Sequence, residues 1–149
     1  MIIPLILKNA VRLSHSPEES RELARQFGIG LTAGDIVLLS GDLGAGKTLF
    51  VKGICDVYHC SDSVTSPTFT IVNTYNGTLK GVEYTLHHFD LYRIESEREL
   101  QNIGFDEYLY SNAISIIEWS EKFAHLFPSR SRKVFIDKAD ETKRLIRIE

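Results

Sequence analysis

The chain is poor in the residue types that mark specialised protein classes. Its 149 residues include two cysteines, one methionine, one tryptophan and four prolines. Two cysteines cannot build a disulfide framework. Cys55 and Cys60 flank His59, but that spacing matches no common zinc pattern and no second pair follows, so they read as reduced thiols. No apolar run approaches the roughly 20 residues that span a bilayer. Met1-Ile2-Ile3-Pro4-Leu5-Ile6-Leu7 is apolar but has no basic start and stops at Lys8. It reads as an edge strand rather than a signal peptide, which predicts a cytoplasmic protein with no membrane association. A net charge of −3 argues against nucleic-acid binding by bulk electrostatics. The charge is uneven: from Arg130 onward there are seven basic and four acidic residues. That end is a solvated edge hairpin, a lip over a polyphosphate or a docking surface. There is no repeat, low-complexity tract or linker, so a single domain over residues 1–149 is predicted.

The most informative stretch is Gly41-Asp42-Leu43-Gly44-Ala45-Gly46-Lys47-Thr48, the full P-loop pattern. The apolar Ile36-Val37-Leu38-Leu39 precedes it and reads as a buried parallel strand. Leu49 to Tyr58 follows, with Phe50, Val51, Ile54 and Val57 at helical spacing. Strand, glycine turn and helix are the context the motif requires. The glycines let backbone N–H groups turn inward and approach phosphates closely, and the helix N-terminus adds partial positive charge there. Lys47 is expected at the β- and γ-phosphates, and the Thr48 hydroxyl on Mg²⁺.

Elsewhere the pattern is α/β. Ser16-Pro17-Glu18-Glu19 opens a helix: Ser16 is the N-cap, Pro17 suits the first position, and Glu19 completes a capping box. Leu23, Ala24 and Phe27 form its buried stripe, and Gly28 or Gly30 ends it. Phe69 to Tyr75 and Val82 to Leu91 read as the strands of an inserted β-hairpin, with turn signals at Asn76-Gly77 and Lys80-Gly81. Glu95 to Ile103 is a short helix stopped by Gly104, and Phe105 to Tyr110 one more turn. Ala113 to Ile117 is a second buried strand, ending at Glu118-Trp119. A short helix lies around Glu121 to His125, and Lys133 to Asp137 pairs with Arg144 to Ile148 as a terminal antiparallel pair. The prediction is a P-loop NTPase-like, mainly parallel sheet with helices on both faces and antiparallel edge strands.

A P-loop needs an acidic residue at the end of a neighbouring buried strand to hold Mg²⁺. Glu118 fits, at the carboxyl edge of the sheet where ligands bind in such folds. Asp90 is the second candidate, among apolar neighbours where an unpaired charge is costly. It either serves the metal through water or orients the attacking water, or else it pairs with Arg93 or a histidine. Thr65, Ser66 and Thr68 sit on a loop where P-loop proteins often sense the γ-phosphate, or else form a simple turn into the strand. His87 and His88 alternate faces, so at most one faces the site.

Taken together, Gly41–Thr48, Thr65-Ser66-Pro67-Thr68-Phe69, His88-Phe89-Asp90-Leu91-Tyr92-Arg93 and Glu118-Trp119 resemble the TsaE family, small bacterial P-loop ATPases of tRNA threonylcarbamoyladenosine formation. Leu100 to Tyr108 and Arg144-Leu145-Ile146-Arg147-Ile148 also look like that family. The resemblance implies a cytoplasmic protein that binds ATP and Mg²⁺ and acts with TsaD-like and TsaB-like subunits. It would meet tRNA only indirectly, hydrolysing ATP to reset the complex without performing the transfer. It places the nucleotide on residues 41–48, Thr65 and Thr68, with Trp119 at the mouth of the site. Arg144 matches a family arginine and is expected at the base or ribose. Lys47, Asp90 and Glu118 are the expected catalytic residues, with Thr48 and Glu118 on the metal.

Three other readings stay open. Asp137-Lys138-Ala139-Asp140 is close to the guanine-reading motif of a GTPase switch, with Asp in place of Asn. A small-molecule kinase usually carries an arginine-rich lid, and here only Arg93 and Arg98 lie between Arg25 and Arg130. A non-hydrolysing nucleotide sensor would keep the P-loop and lack turnover.

Overall fold

A strand buried along almost its whole length has to be covered on both faces, and this chain has two of them at its centre. The computed structural model describes residues 9–60, 64–67 and 70–149. The predicted strand at Met1–Leu7, and Thr68 and Phe69, lie outside them. In chain order the elements are β1 (Ala10–Ser14), α1 (Pro17–Ile29), β2 (Ile36–Ser40), α2 (Lys47–Val57), β3 (Val72–Leu79), β4 (Val82–Asp90), α3 (Glu97–Asn102), α4 (Phe105–Leu109) and β5 (Ile114–Glu118). A 3₁₀ helix (Ser120–Leu126), β6 (Arg132–Lys138) and β7 (Arg144–Ile148) complete the chain.

Among the described residues the strands form one seven-stranded sheet in the order β1-β7-β6-β2-β5-β4-β3. β6, β2, β5 and β4 run parallel, and β7, β1 and β3 add antiparallel edges. β2 and β5 are the apolar pair at the middle. Successive side chains point to opposite faces, so Val37 and Leu39 meet Phe27, Phe50 and Ile54 of α1 and α2. Ile36 and Leu38 face the other way, onto Leu100, Phe105, Leu109 and Phe123. Helices therefore cover both faces, as predicted.

The start of α1 follows its capping sequence with one shift. Ser16 accepts from the Glu19 N–H at 3.1 Å, but the Glu19 carboxylate returns to the His15 N–H at 2.7 Å rather than to that of Ser16. α1 is tied to α2 by Asp56, which takes two hydrogen bonds from Arg21 at 2.7 and 2.8 Å and one from Arg25 at 3.0 Å. Those guanidinium groups, Arg21 first, hold its carboxyl below the usual aspartate range.

Two expectations are corrected. β6 forms the expected antiparallel pair with β7 but does not lie at the sheet edge, since it also pairs in parallel with β2, and it buries Val134 and Ile136. Asn76-Gly77 is no turn, because β3 runs straight through it. The reversal is at Lys80-Gly81, both at positive φ (52° and 78°). Gly77 is there for a different reason. The Tyr58 carbonyl crosses it to accept from the Thr78 N–H at 2.6 Å, and a Cβ on residue 77 would lie 2.0 Å from that oxygen. Gly77→Ala should therefore cost about 3 kcal/mol, read in thermal denaturation as a melting point lower by roughly 6–12 °C. An unchanged melting point would show that the Tyr58–Thr78 contact is dispensable.

Candidate functional site

The carboxyl ends of the parallel strands lie at one edge, and the candidate residues come from the segments that leave it. β2 ends at Ser40 and the chain enters the P-loop. Its three glycines do different work. Gly44 and Gly46 have φ of 79° and 108°, a region closed to most side chains. Gly41 is needed for space, since a Cβ there would sit 2.5 Å from the Ile136 carbonyl of β6. The loop is closed by the Ala45 N–H donating to the Asp42 carbonyl at 3.0 Å, and Gly46 opens α2.

Lys47, the first residue of α2, is buried and folds back over the loop. Its ammonium donates to the Gly41 carbonyl and reaches that of Asp42 at 3.5 Å. It also stands 3.8 Å above the Trp119 ring. Burial lowers its pKa, opposed by the charges of Glu118, Glu121, Asp90 and Asp42. Trp119 is positioned by a left-handed backbone, φ 61°, directly after β5, and its ring also meets Tyr92 at 4.9 Å between centroids.

The two carboxylates come together through strand register. β4 and β5 pair so that Asp90 stands opposite Glu118. Their surroundings differ. Glu118 is 3 % exposed and bonded to His88 at 2.5 Å. Asp90 is half-buried and accepts from the Tyr92 N–H at 3.0 Å. Burial raises the Asp90 pKa, and the Glu118 charge pushes the same way, against the Tyr92 hydrogen bond.

On the loop before β3, the structure brings Ser66 rather than Thr65 to the site. The Ser66 and Thr48 hydroxyls are 2.6 Å apart. Thr65 is exposed and tied through its backbone, its carbonyl accepting from Tyr75 at 3.2 Å and from Asn73 at 3.1 Å. Thr68 lies outside the described residues. A cavity of about 460 Å³ opens here, lined by Leu43, Ser66, Asp90, Tyr92 and Trp119 among others.

Arg144 lies on the opposite side of the loop. Its guanidinium donates to the carbonyls of Ala45 (2.8 Å) and Gly44 (3.4 Å), and to those of Asp140 and Lys143 in the β6–β7 turn (both 3.0 Å). It braces the P-loop, beside a cleft of about 100 Å³ lined by Pro17, Ala45, Leu49 and Thr142 among others. Ser66 and His88 were the contacts hardest to select from sequence. The only signal for Ser66 was its place in a hydroxyl-rich loop, and for His88 its same-face spacing from Asp90 on a strand.

The donor set suits a nucleotide with Mg²⁺. Gly44 and Gly46, at positive φ, form a turn without side chains that a phosphate can approach closely, and hydroxyl and carboxylate oxygens are the ligands a hard cation takes. Among the described residues no group of three or more His, Cys, Asp and Glu side chains could hold a metal alone. Phosphate oxygens and water fill most of the shell of Mg²⁺ bound with a nucleotide, so none is required.

The model of the family described as "Threonylcarbamoyl adenosine biosynthesis protein TsaE" matches residues 14–146. The chain belongs to the TsaE family. A TsaE from Rickettsia conorii is 43 % identical over 136 residues, 90 % of this chain and 74 % of that one. A TsaE from Bacillus subtilis is 36 % identical over 132 residues, 88 % of this chain and 79 % of that one. Both carry the name "tRNA threonylcarbamoyladenosine biosynthesis protein TsaE". A crystal structure of Bacillus subtilis YdiB superposes with a TM-score of 0.76 at 30 % identity, covering 93 % of this chain and 83 % of that chain. The TsaE match thus covers β2 to β6 and every site residue named above. No helix among the described residues is long and apolar enough to cross a membrane.

The two placements of Arg144, brace or base contact, separate experimentally. If Arg144 braces the loop, Arg144→Ala should weaken ATP and inorganic tripolyphosphate about equally, by roughly tenfold, since both would use the loop and only ATP has a base. Calorimetry in which ATP weakens and tripolyphosphate does not would assign Arg144 to the base or ribose.

Proposed function

We propose that this chain is a Mg²⁺-dependent ATPase subunit that drives turnover of a tRNA threonylcarbamoyladenosine-forming complex without performing the transfer. The observation that supports it best is the convergence of Lys47, Thr48, Asp90 and Glu118 at the carboxyl edge of the parallel strands, around a glycine loop shaped for phosphate. Family membership supplies the process, and the resemblance supplies the partners, TsaD-like and TsaB-like subunits in the cytoplasm. tRNA would be met through them, consistent with a chain of net charge −3.

The residues divide the work by position. Lys47 would exchange the Gly41 and Asp42 carbonyls for β- and γ-phosphate oxygens, a gain because the buried ammonium then faces full negative charge. The purine would lie toward the Pro17, Ala45, Leu49 cleft, with Arg144 holding the loop beside it. Thr48 and Glu118 would hold Mg²⁺, which neutralises charge developing on the phosphates when bound. Asp90, half-buried and facing the larger cavity, would orient water, and Ser66 would couple that loop to Thr48.

The decisive test is turnover by the chain alone and with purified TsaD- and TsaB-type subunits, with GTP as control. Hydrolysis specific for ATP and raised by the partners is expected, and Lys47→Ala should lower it by about a hundredfold or more. Unchanged affinity and turnover in Lys47→Ala would refute the site. Preference for GTP, or no turnover with partners present, would favour the switch or the sensor.

The two carboxylates should fail differently. Glu118→Ala removes a metal contact, so ATP binding loses most of its Mg²⁺ dependence. Asp90→Ala leaves that dependence nearly intact while hydrolysis falls, because placing water matters chiefly in the transition state. Calorimetry with and without Mg²⁺, followed by turnover in the complex, reads both; the opposite pattern would exchange the roles.

A further inference from the structure

We propose that His88 is a positioning residue that holds the Glu118 carboxylate in its metal-binding orientation. This rests on the assignment of Glu118 to Mg²⁺. The imidazole is fully buried, and its Nε2 lies 2.5 Å from Glu118 Oε2. Strand register brings the two together. His88 pairs with Ile116 and Asp90 with Glu118, so side chains of one face place His88 diagonally beside Glu118 and one step before Asp90.

The chemistry singles out Nε2. The other ring nitrogen, Nδ1, is buried without a hydrogen-bond partner among the described residues. An imidazole used only to fill the core would be a poor choice, because leucine fills similar space and leaves nothing unpaired. What His88 contributes beyond volume is one N–H directed at one carboxylate oxygen. A glutamate has three rotatable side-chain bonds, and this contact removes that freedom while occupying only Oε2. With Oε2 held by His88, Oε1 is the oxygen that this assignment gives to the metal. Residues that hold a metal ligand through such a bond commonly change metal affinity by ten- to a hundredfold when replaced.

The test uses the full chain with His88→Leu and His88→Gln. Leucine keeps the bulk and removes the donor, whereas glutamine keeps an N–H at about the reach of Nε2. ATP binding is titrated by calorimetry over a range of Mg²⁺ concentrations and again in EDTA, after circular dichroism has compared the folds. In His88→Leu the Mg²⁺ needed for half-maximal effect should rise about tenfold or more, with affinity in EDTA within about twofold of the parent. His88→Gln should lie near the parent. An unchanged Mg²⁺ requirement in His88→Leu would overturn the proposal. So would a loss of affinity in EDTA that matches the loss in Mg²⁺ and that glutamine does not restore, since that marks a purely structural role. If the parent itself binds ATP without regard to Mg²⁺, the metal assignment of Glu118 falls, and this role with it.

Discussion

Everything chemical in this molecule depends on β4, β5, β2 and β6 running parallel and ending at one edge. Parallel pairing puts the P-loop after β2, Glu118 at the end of β5 and Asp90 at the end of β4 within reach of one another. It also brings β6 against the loop, where the Ile136 carbonyl leaves no room for a Cβ at residue 41. The sheet is held by apolar side chains on both faces, and the site is made by what those strands do when they stop.

The P-loop is held by one group distant in sequence and by its own lysine. Arg144 takes the outward carbonyls of Gly44 and Ala45, while Lys47 takes the inward carbonyls of Gly41 and Asp42. Trp119 covers the Lys47 ammonium, and the left-handed backbone that places its ring carries a modest strain, about 1 kcal/mol or more. The direct contacts of this buried cation, carbonyls and an indole face, carry partial charges only, and the carboxylates of Glu118, Glu121, Asp90 and Asp42 act on it through space. It has more to gain from full negative charge than an exposed lysine would.

Much of this was legible locally. The P-loop, its strand and helix, the Ser16 cap and the two apolar strands each announce themselves within a few residues, because loop geometry, capping and burial on both faces are local demands. What was not legible depends on partners far along the chain. Asn76-Gly77 has the composition of a turn, and only the Tyr58 carbonyl explains why it is a strand instead. β6 has the pattern of a terminal strand, and its interior place comes from pairing with β2, far earlier in the chain. Arg144 is expected at the base or ribose from local positive charge and a matching family arginine, while its carbonyl acceptors on the P-loop are visible only in the structure. Glu118 and Asp90 were found from strand ends, but the hydrogen bond from His88 that distinguishes their environments follows from β4–β5 register.

In the proposed function, the Lys47 ammonium, held by loop carbonyls and Trp119, is what phosphate captures. Trp119 is the only tryptophan, so its fluorescence reports that exchange directly. Titrating ATP and ADP with Mg²⁺ should change the emission saturably, with the midpoint that calorimetry gives for binding, because the cation over the indole face moves. A flat fluorescence titration alongside binding confirmed by calorimetry would contradict the account, since it would mean that nucleotide binds without displacing Lys47 from the ring.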